Sequence, residues 1–189
     1  MRSTVDSLLL RDNSDTMLVV VDVQYLFAKT ADPEGRVTGY IADHIDRGGY
    51  GKIVATRFVN RPGSLADTEL GYALGMPGDP ATQTLPAITR RVEYTVDHTG
   101  YAPQSGDMDG VVKQAQDHDI KRAVVMGFDT DACVLSTAFS LWDRGMPVAV
   151  VERGCASSGG QLMHEAGLSV ARRSLLVVSR GASQMGQVT

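Results

Sequence analysis

Met17-Leu18-Val19-Val20-Val21-Asp22-Val23 is an apolar, β-branched run broken only by an acid near its end. It does not alternate. A strand with one wet face alternates apolar and polar residues, whereas a strand covered on both faces is apolar throughout, and such sheets are parallel. Four similar runs follow: Lys52–Phe58 (KIVATRF), Arg122–Gly127 (RAVVMG), Pro147–Val151 (PVAVV) and Ser174–Ser179 (SLLVVS). Arg91–Val96 is a weaker sixth candidate.

Helix-compatible stretches fill the gaps at Arg36–Arg47, Asp107–His118, Asp131–Arg144 and Ser158–Arg172. Gly48, Gly49 and Gly51 punctuate the first and Gly145 the third, as helix C-terminal glycines do. Strands alternating with helices imply one doubly wound, Rossmann-like α/β domain across residues 1–189. Asn60–Ile88 gathers Pro62, Pro77, Pro80 and Pro86 with Gly63, Gly71, Gly75 and Gly78. It reads as a long loop or flap, and long loops in compact domains are commonly functional.

With 189 residues the chain can bury roughly 70% of its unfolded surface, so the fold needs neither metal nor disulfide. The net charge of −4, with no more than two adjacent Lys or Arg, argues against nucleic acid as a partner. Apolar runs of about six residues are far too short to span a membrane. Met1–Thr16 is mixed and polar, without a secretory apolar core, and the two cysteines read as free thiols. The expectation is a soluble, cytoplasmic protein.

Ligands of open α/β sheets bind beyond the carboxyl ends of the strands. Asp22 closes the first strand there, and Gly127-Phe128-Asp129-Thr130-Asp131-Ala132-Cys133-Val134 follows the fourth. Cys133 sits just inside a predicted helix, where backbone N–H groups favour a thiolate and can hold an oxyanion. On position alone it could equally be a small buried hydrophobe. Asp22 could take the thiol proton and return it to a leaving amine, or simply cap a turn.

Together, Val19–Gln24 (VVVDVQ) and Gly127–Val134 (GFDTDACV) resemble the isochorismatase-like hydrolase superfamily, which includes N-carbamoylsarcosine amidohydrolase and nicotinamidase. Ala55–Asn60, Ala138–Gly145 and Val150–Ser157 support the resemblance, which runs from about Met17 to Val178. It implies a six-stranded parallel sheet and an Asp–Lys–Cys triad, with Asp22 and Cys133 at the acid and nucleophile positions. It also implies an oxyanion hole from the backbone N–H groups of Asp129 and Cys133, and a cis peptide at Phe128–Asp129.

The sequence departs from this pattern at the lysine. The matching segment is His98-Thr99-Gly100-Tyr101-Ala102-Pro103-Gln104, so His98 stands where the family carries Lys. Histidine supplies positive charge only while protonated, and a carboxylate neighbour such as Asp22 would raise its pKa above the free value of about 6.5. Phe27, Arg57, Arg61 and Tyr101 are candidate pocket residues, the arginines suiting a carboxylate-bearing substrate. Nicotinamidases carry a metal-binding D-x-H…H cluster after the second strand. Arg57–Pro62 holds no histidine, and His44, His118 and His164 are not at ligand spacing, so neither metal nor cofactor is expected.

True isochorismatases, which cleave a vinyl ether, do not keep a cysteine at this place. The resemblance therefore implies a metal-independent cysteine hydrolase that cleaves a carbon–nitrogen bond of a small amide or carbamoyl substrate through a thioester. An activated Cys133 would be alkylated by iodoacetamide much faster than a free thiol at pH 7. The alternatives are an isochorismate-type hydrolase, or a family fold with reduced or lost turnover that binds a small molecule or serves as an interaction subunit. Family members associate as dimers or tetramers, so a homo-oligomer is expected.

Overall fold

Thr16–Val21 forms strand β1, and all six residues are buried. Successive side chains of a strand point to opposite faces. Met17, Val19 and Val21 enter a core with Val54, Val125, Met108, Val111 and Ala138. Leu18 and Val20 enter a second core with Ala55, Val124, Ile41, Ile45 and Val151. Helices therefore cover both faces of the sheet, which is why the β1 sequence does not alternate.

The computed structural model describes residues 13–179. After β1 come α1 (Tyr25–Ala31), α2 (Arg36–Gly48), β2 (Lys52–Phe58), α3 (Leu65–Thr68) and α4 (Pro86–Thr89). The chain continues as β3 (Tyr94–His98), α5 (Ser105–Asp117), β4 (Arg122–Gly127), α6 (Leu135–Trp142), β5 (Val148–Cys155), α7 (Gln161–Ser174) and β6 (Leu176–Val178). The six strands lie in the order β3-β2-β1-β4-β5-β6, and every pairing is parallel. This is a doubly wound α/β domain. The outer ends of the 1–189 span, residues 1–12 and 180–189, lie outside the described residues.

Winding reverses between β1 and β4, and the ends of neighbouring strands part at such a point to leave a crevice. Asp22 leaves β1 on one side of it and Gly127 ends β4 on the other. Gly127 has φ 134°, and a Cβ there would lie 2.0 Å from the Val21 carbonyl oxygen. Only glycine permits this approach, which is fixed by the Phe128 N–H donating to that same oxygen at 2.8 Å.

Three differences from the sequence reading bear on the site. The weak strand at Arg91–Val96 begins later, at Tyr94, because Arg91 is committed to Asp46 at 2.6 Å and to the Ala87 carbonyl at 2.8 Å. Its shift carries His98 from a loop to the last position of an edge strand, opposite Phe58 of β2. The helix expected over Asp131–Arg144 is instead a π-helical turn, Thr130–Val134, followed by α6. The long 60–88 segment contains α3, α4 and a 3₁₀ turn, and buried Gln24 ties it down. Gln24 Nε2 donates to the Phe58 and Thr82 carbonyls at 2.8 and 2.7 Å, while Oε1 accepts from Phe58 N–H at 2.8 Å.

Candidate active site

The carboxyl ends of β1, β3 and β4 bring Asp22, His98 and the Cys133 turn into one buried cluster. Asp22 is fully buried with φ 50°, a left-handed conformation that Asp tolerates better than most residues. Its Oδ1 accepts from Thr56 Oγ1 at 2.6 Å and from His98 Nε2 at 2.8 Å. Its Oδ2 is buried with no hydrogen-bond partner. One oxygen is thus fixed by two donors and the other is free to receive a proton.

His98 is 3% exposed, and both ring nitrogens are engaged. Nδ1 lies 2.8 Å from the Gly100 carbonyl, which can only accept, so Nδ1 carries a proton. A hydrogen at Nε2 as well makes the ring an imidazolium facing the Asp22 carboxylate. Burial alone pulls the His98 pKa down, but the Asp22 charge, the hydrogen bonds to Asp22 and Gly100, and the Asp97 charge together carry it above 6.5. The ring nitrogens spend their bonds on Asp22 and Gly100, so His98 reaches the carboxylate and has no bond to spare for the thiol.

Cys133 lies in the π-helical turn, 8% exposed. The wide turn closes through Val134 N–H to the Asp129 carbonyl at 3.1 Å, and turns of this kind recur at functional sites. Gly167 of α7 supports it from behind: a Cβ there would come within 2.8 Å of the Asp131 backbone. The Phe128–Asp129 peptide is cis. Burial pushes the Cys133 thiol well above its ordinary pKa, and the charge of Asp22 pushes it further. The Asp129 charge adds to the rise, and only the Asp129 backbone N–H opposes it. The helix-start argument predicts the reverse direction. It loses because two carboxylates and a dry setting outweigh a partial charge.

Of the other sequence candidates, Phe27 stands at the site. Its ring meets Phe58 edge-on at 6.0 Å, and Phe58 in turn meets Tyr72 at 6.1 Å and His98 at 6.0 Å. Arg57 is adjacent to Thr56 in β2 and so projects from the other face of the sheet, where Asp97 holds it with two bonds of 2.7 Å. Tyr101 is 58% exposed on the loop after β3. Arg61 reaches Thr99 Oγ1 at 3.3 Å on the rim of a depression of about 320 Å³ beside His98. Cys155 is buried at the end of β5, and burial lifts its thiol to about 12.

Sequence reasoning missed Thr56, Phe58, Gly100 and Tyr72. Thr56 and Phe58 are legible only once β1 and β2 are known to be parallel neighbours, because Asp22 N–H then donates to the Thr56 carbonyl at 3.3 Å. Tyr72 comes from the 60–88 segment and carries no local signal. Burial raises its pKa first, then the charges of Asp129 and Cys133, so its phenol lies near both.

Residues 16–183 match the isochorismatase domain family. No curated protein matches the sequence significantly. Among solved structures, an isochorismatase-like hydrolase from Alkaliphilus metalliredigens superposes with a TM-score of 0.74 at 20% identity, over 86% of this chain and 93% of that one. PnC1 from L. infantum, in complex with nicotinate, gives 0.74 at 16% identity over 90% and 96%. The pyrazinamidase of Pyrococcus horikoshii, in complex with zinc, gives 0.72 at 19% identity over 87% and 98%. The sheet order, the site at its switch point and the match over residues 16–183 agree: the chain belongs to the isochorismatase family of hydrolases.

Proposed function

We propose that this protein is a metal-independent amidohydrolase in which Cys133 is the nucleophile, Asp22 the proton carrier and His98 the fixed positive charge. The observation that carries the reading is the division of labour at Asp22: Oδ1 is saturated by Thr56 and His98, and Oδ2 is buried and free. A carboxylate held in this way can accept one proton at one atom. Because the resting thiol is protonated, the proton moves to Asp22 Oδ2 as sulfur attacks the substrate carbonyl carbon. The N–H groups of Asp129 and Cys133 receive the oxyanion. Asp22 then gives its proton to the departing nitrogen, ammonia or an amine leaves, and a thioester remains. Water attacks the thioester, passes a proton to Asp22, and the carboxylic acid departs as sulfur regains its proton.

The Pyrococcus horikoshii pyrazinamidase holds zinc. Among the described residues here, no three His, Cys, Asp or Glu side chains are grouped to hold a metal ion, so this donor set does not fit one. No step runs through a metal. The substrate in this reading is a small molecule: PnC1 is in complex with nicotinate, and the aromatic group of Phe27, Phe58 and Tyr72 suits a flat or apolar body. Among the described residues no helix is long and apolar enough to cross a membrane. Both cysteines are free thiols, which suits a reducing compartment such as the cytoplasm.

Ammonia release from a panel of small amides and carbamoyl compounds, beside pyruvate release from isochorismate, tests the reading. Wild type should release ammonia, and Cys133→Ala, with an unchanged circular dichroism spectrum, should release none. Turnover persisting in Cys133→Ala would remove the nucleophile from the mechanism.

A further inference from the structure

The Asp22 carboxylate is matched by His98, but a second carboxylate beside Cys133 has no such match. Asp129 accepts from Ser158 N–H at 2.7 Å and from Ser158 Oγ at 2.5 Å, both neutral donors. Among the described residues no Lys, Arg or His forms an ion pair with Asp129 or with its neighbour Asp131, whose Oδ1 is held by Ser157 Oγ. Asp129 is partly buried, at the entry to the turn that carries the nucleophile. Its charge is felt by Cys133 and by the Tyr72 phenol.

The Tyr72 phenol, which feels this charge, belongs to an aromatic group with Phe58 and Phe27, joined edge to face. Ring faces attract cations, and more strongly when water is excluded. The buried, unpartnered Asp22 Oδ2 adds a further acceptor at the same place. The arginines that would have welcomed a carboxylate lie elsewhere: Arg57 is held by Asp97, and Arg61 stands on the rim beside Thr99.

We infer that the site selects by charge: it takes amides whose acyl part bears an ammonium or comparable cation and turns away their anionic counterparts, with the Asp129 side chain and the Phe27–Phe58–Tyr72 wall as the selecting groups. This rests on the amidohydrolase reading above and names its substrate class. The same field favours release, since hydrolysis adds a carboxylate to the product. Two carboxylates near the nucleophile then disfavour its retention.

Three amides of matched length provide the test: 4-aminobutanamide, pentanamide and succinamic acid. Wild type should hydrolyse the cation with a kcat/KM roughly tenfold or more above that of the anion, a difference one charge several ångströms away can make. Asp129→Asn, which keeps the backbone N–H and a polar side chain for Ser158, should shrink that ratio about tenfold. A second measurement needs no turnover. Cys133 is labelled at pH 8 with cationic aminoethyl and anionic sulfonatoethyl methanethiosulfonates, in a Cys155→Ala background, and the rate ratio is compared with that of a free small thiol. The expected ratio favours the cation in wild type and relaxes toward the free-thiol ratio in Asp129→Asn and at 1 M salt. Labelling at the free-thiol ratio, unchanged by the substitution, overturns charge selection while leaving the nucleophile in place. No labelling and no amide turnover overturns the parent reading, and this inference with it.

Discussion

Replacing His98 by Gln removes the positive charge that pairs with buried Asp22, while keeping a hydrogen-bond donor of similar reach. In the wild type Asp22 Oδ1 is shared by His98 and Thr56, and Oδ2 has nothing. Both members of the pair have fully buried side chains. Removing one partner of a buried ion pair costs about 3–5 kcal/mol, because the survivor stays charged and dry. Since the Gln amide can still donate, about 3 kcal/mol is expected, a large share of the 5–15 kcal/mol that holds a typical domain. The histidine's pKa is raised by folding, so the wild-type contribution is fully present below about pH 6.5 and is lost as pH rises through the folded value. The gap between wild type and His98→Gln should therefore be widest near pH 6 and narrow toward pH 9. Urea unfolding at constant slope reads it. Adding Asp22→Asn to His98→Gln should recover most of the loss, since no buried charge then remains. A deficit below about 1 kcal/mol that stays flat from pH 6 to 9 would refute the imidazolium–carboxylate description.

Three further outcomes follow from the geometry. Alkylation of Cys133 by iodoacetamide should be slow at pH 7 and keep rising well into the alkaline range, because burial and Asp22 hold the thiol protonated; a plateau near neutrality would show a preformed thiolate. Gly167→Ala should cost about 1–3 kcal/mol in urea unfolding and lower kcat for the substrate found in the amide screen, because the added methyl presses on the Asp131 backbone at 2.8 Å. A stable variant with wild-type turnover would mean that α7 does not set the nucleophile turn. Gln24→Ala leaves the Phe58 N–H and the Phe58 and Thr82 carbonyls without their buried partner, and each such group costs about 1–3 kcal/mol. Limited proteolysis within residues 60–88 should accelerate in that variant more than elsewhere.

The strands were readable because burial on both faces writes itself locally as unbroken apolar runs, and β2 and β4 begin and end where the sequence suggests. The edge strand β3 was the weakest signal because an edge is partly wet, and its residues are alternately exposed. That weakness hid the reason His98 is well placed: strand pairing opposite Phe58 delivers it to Asp22. Asp22 and Cys133 were legible as residues because strand ends and the turn after β4 are where this architecture binds ligands. The rise of the Cys133 pKa was not legible, since it depends on which carboxylates fold against it. Arg57 looked available in sequence, but its use was settled by Asp97, which stands 40 positions away and beside it only in the sheet.

The positive charge of this site rides on the outermost strand. β3 is hydrogen-bonded to a neighbour on one side only, and its five residues are the last link between Asp22 and His98. Segments with few buried contacts open below the free energy of global unfolding. Fraying of β3 would withdraw the imidazolium while β1 and β4 still hold Asp22 and Cys133 together. In the proposed mechanism such a state would be folded but disarmed, a condition that a charge mounted on a central strand would not allow. Mild heat or denaturant should reach it before the core gives way.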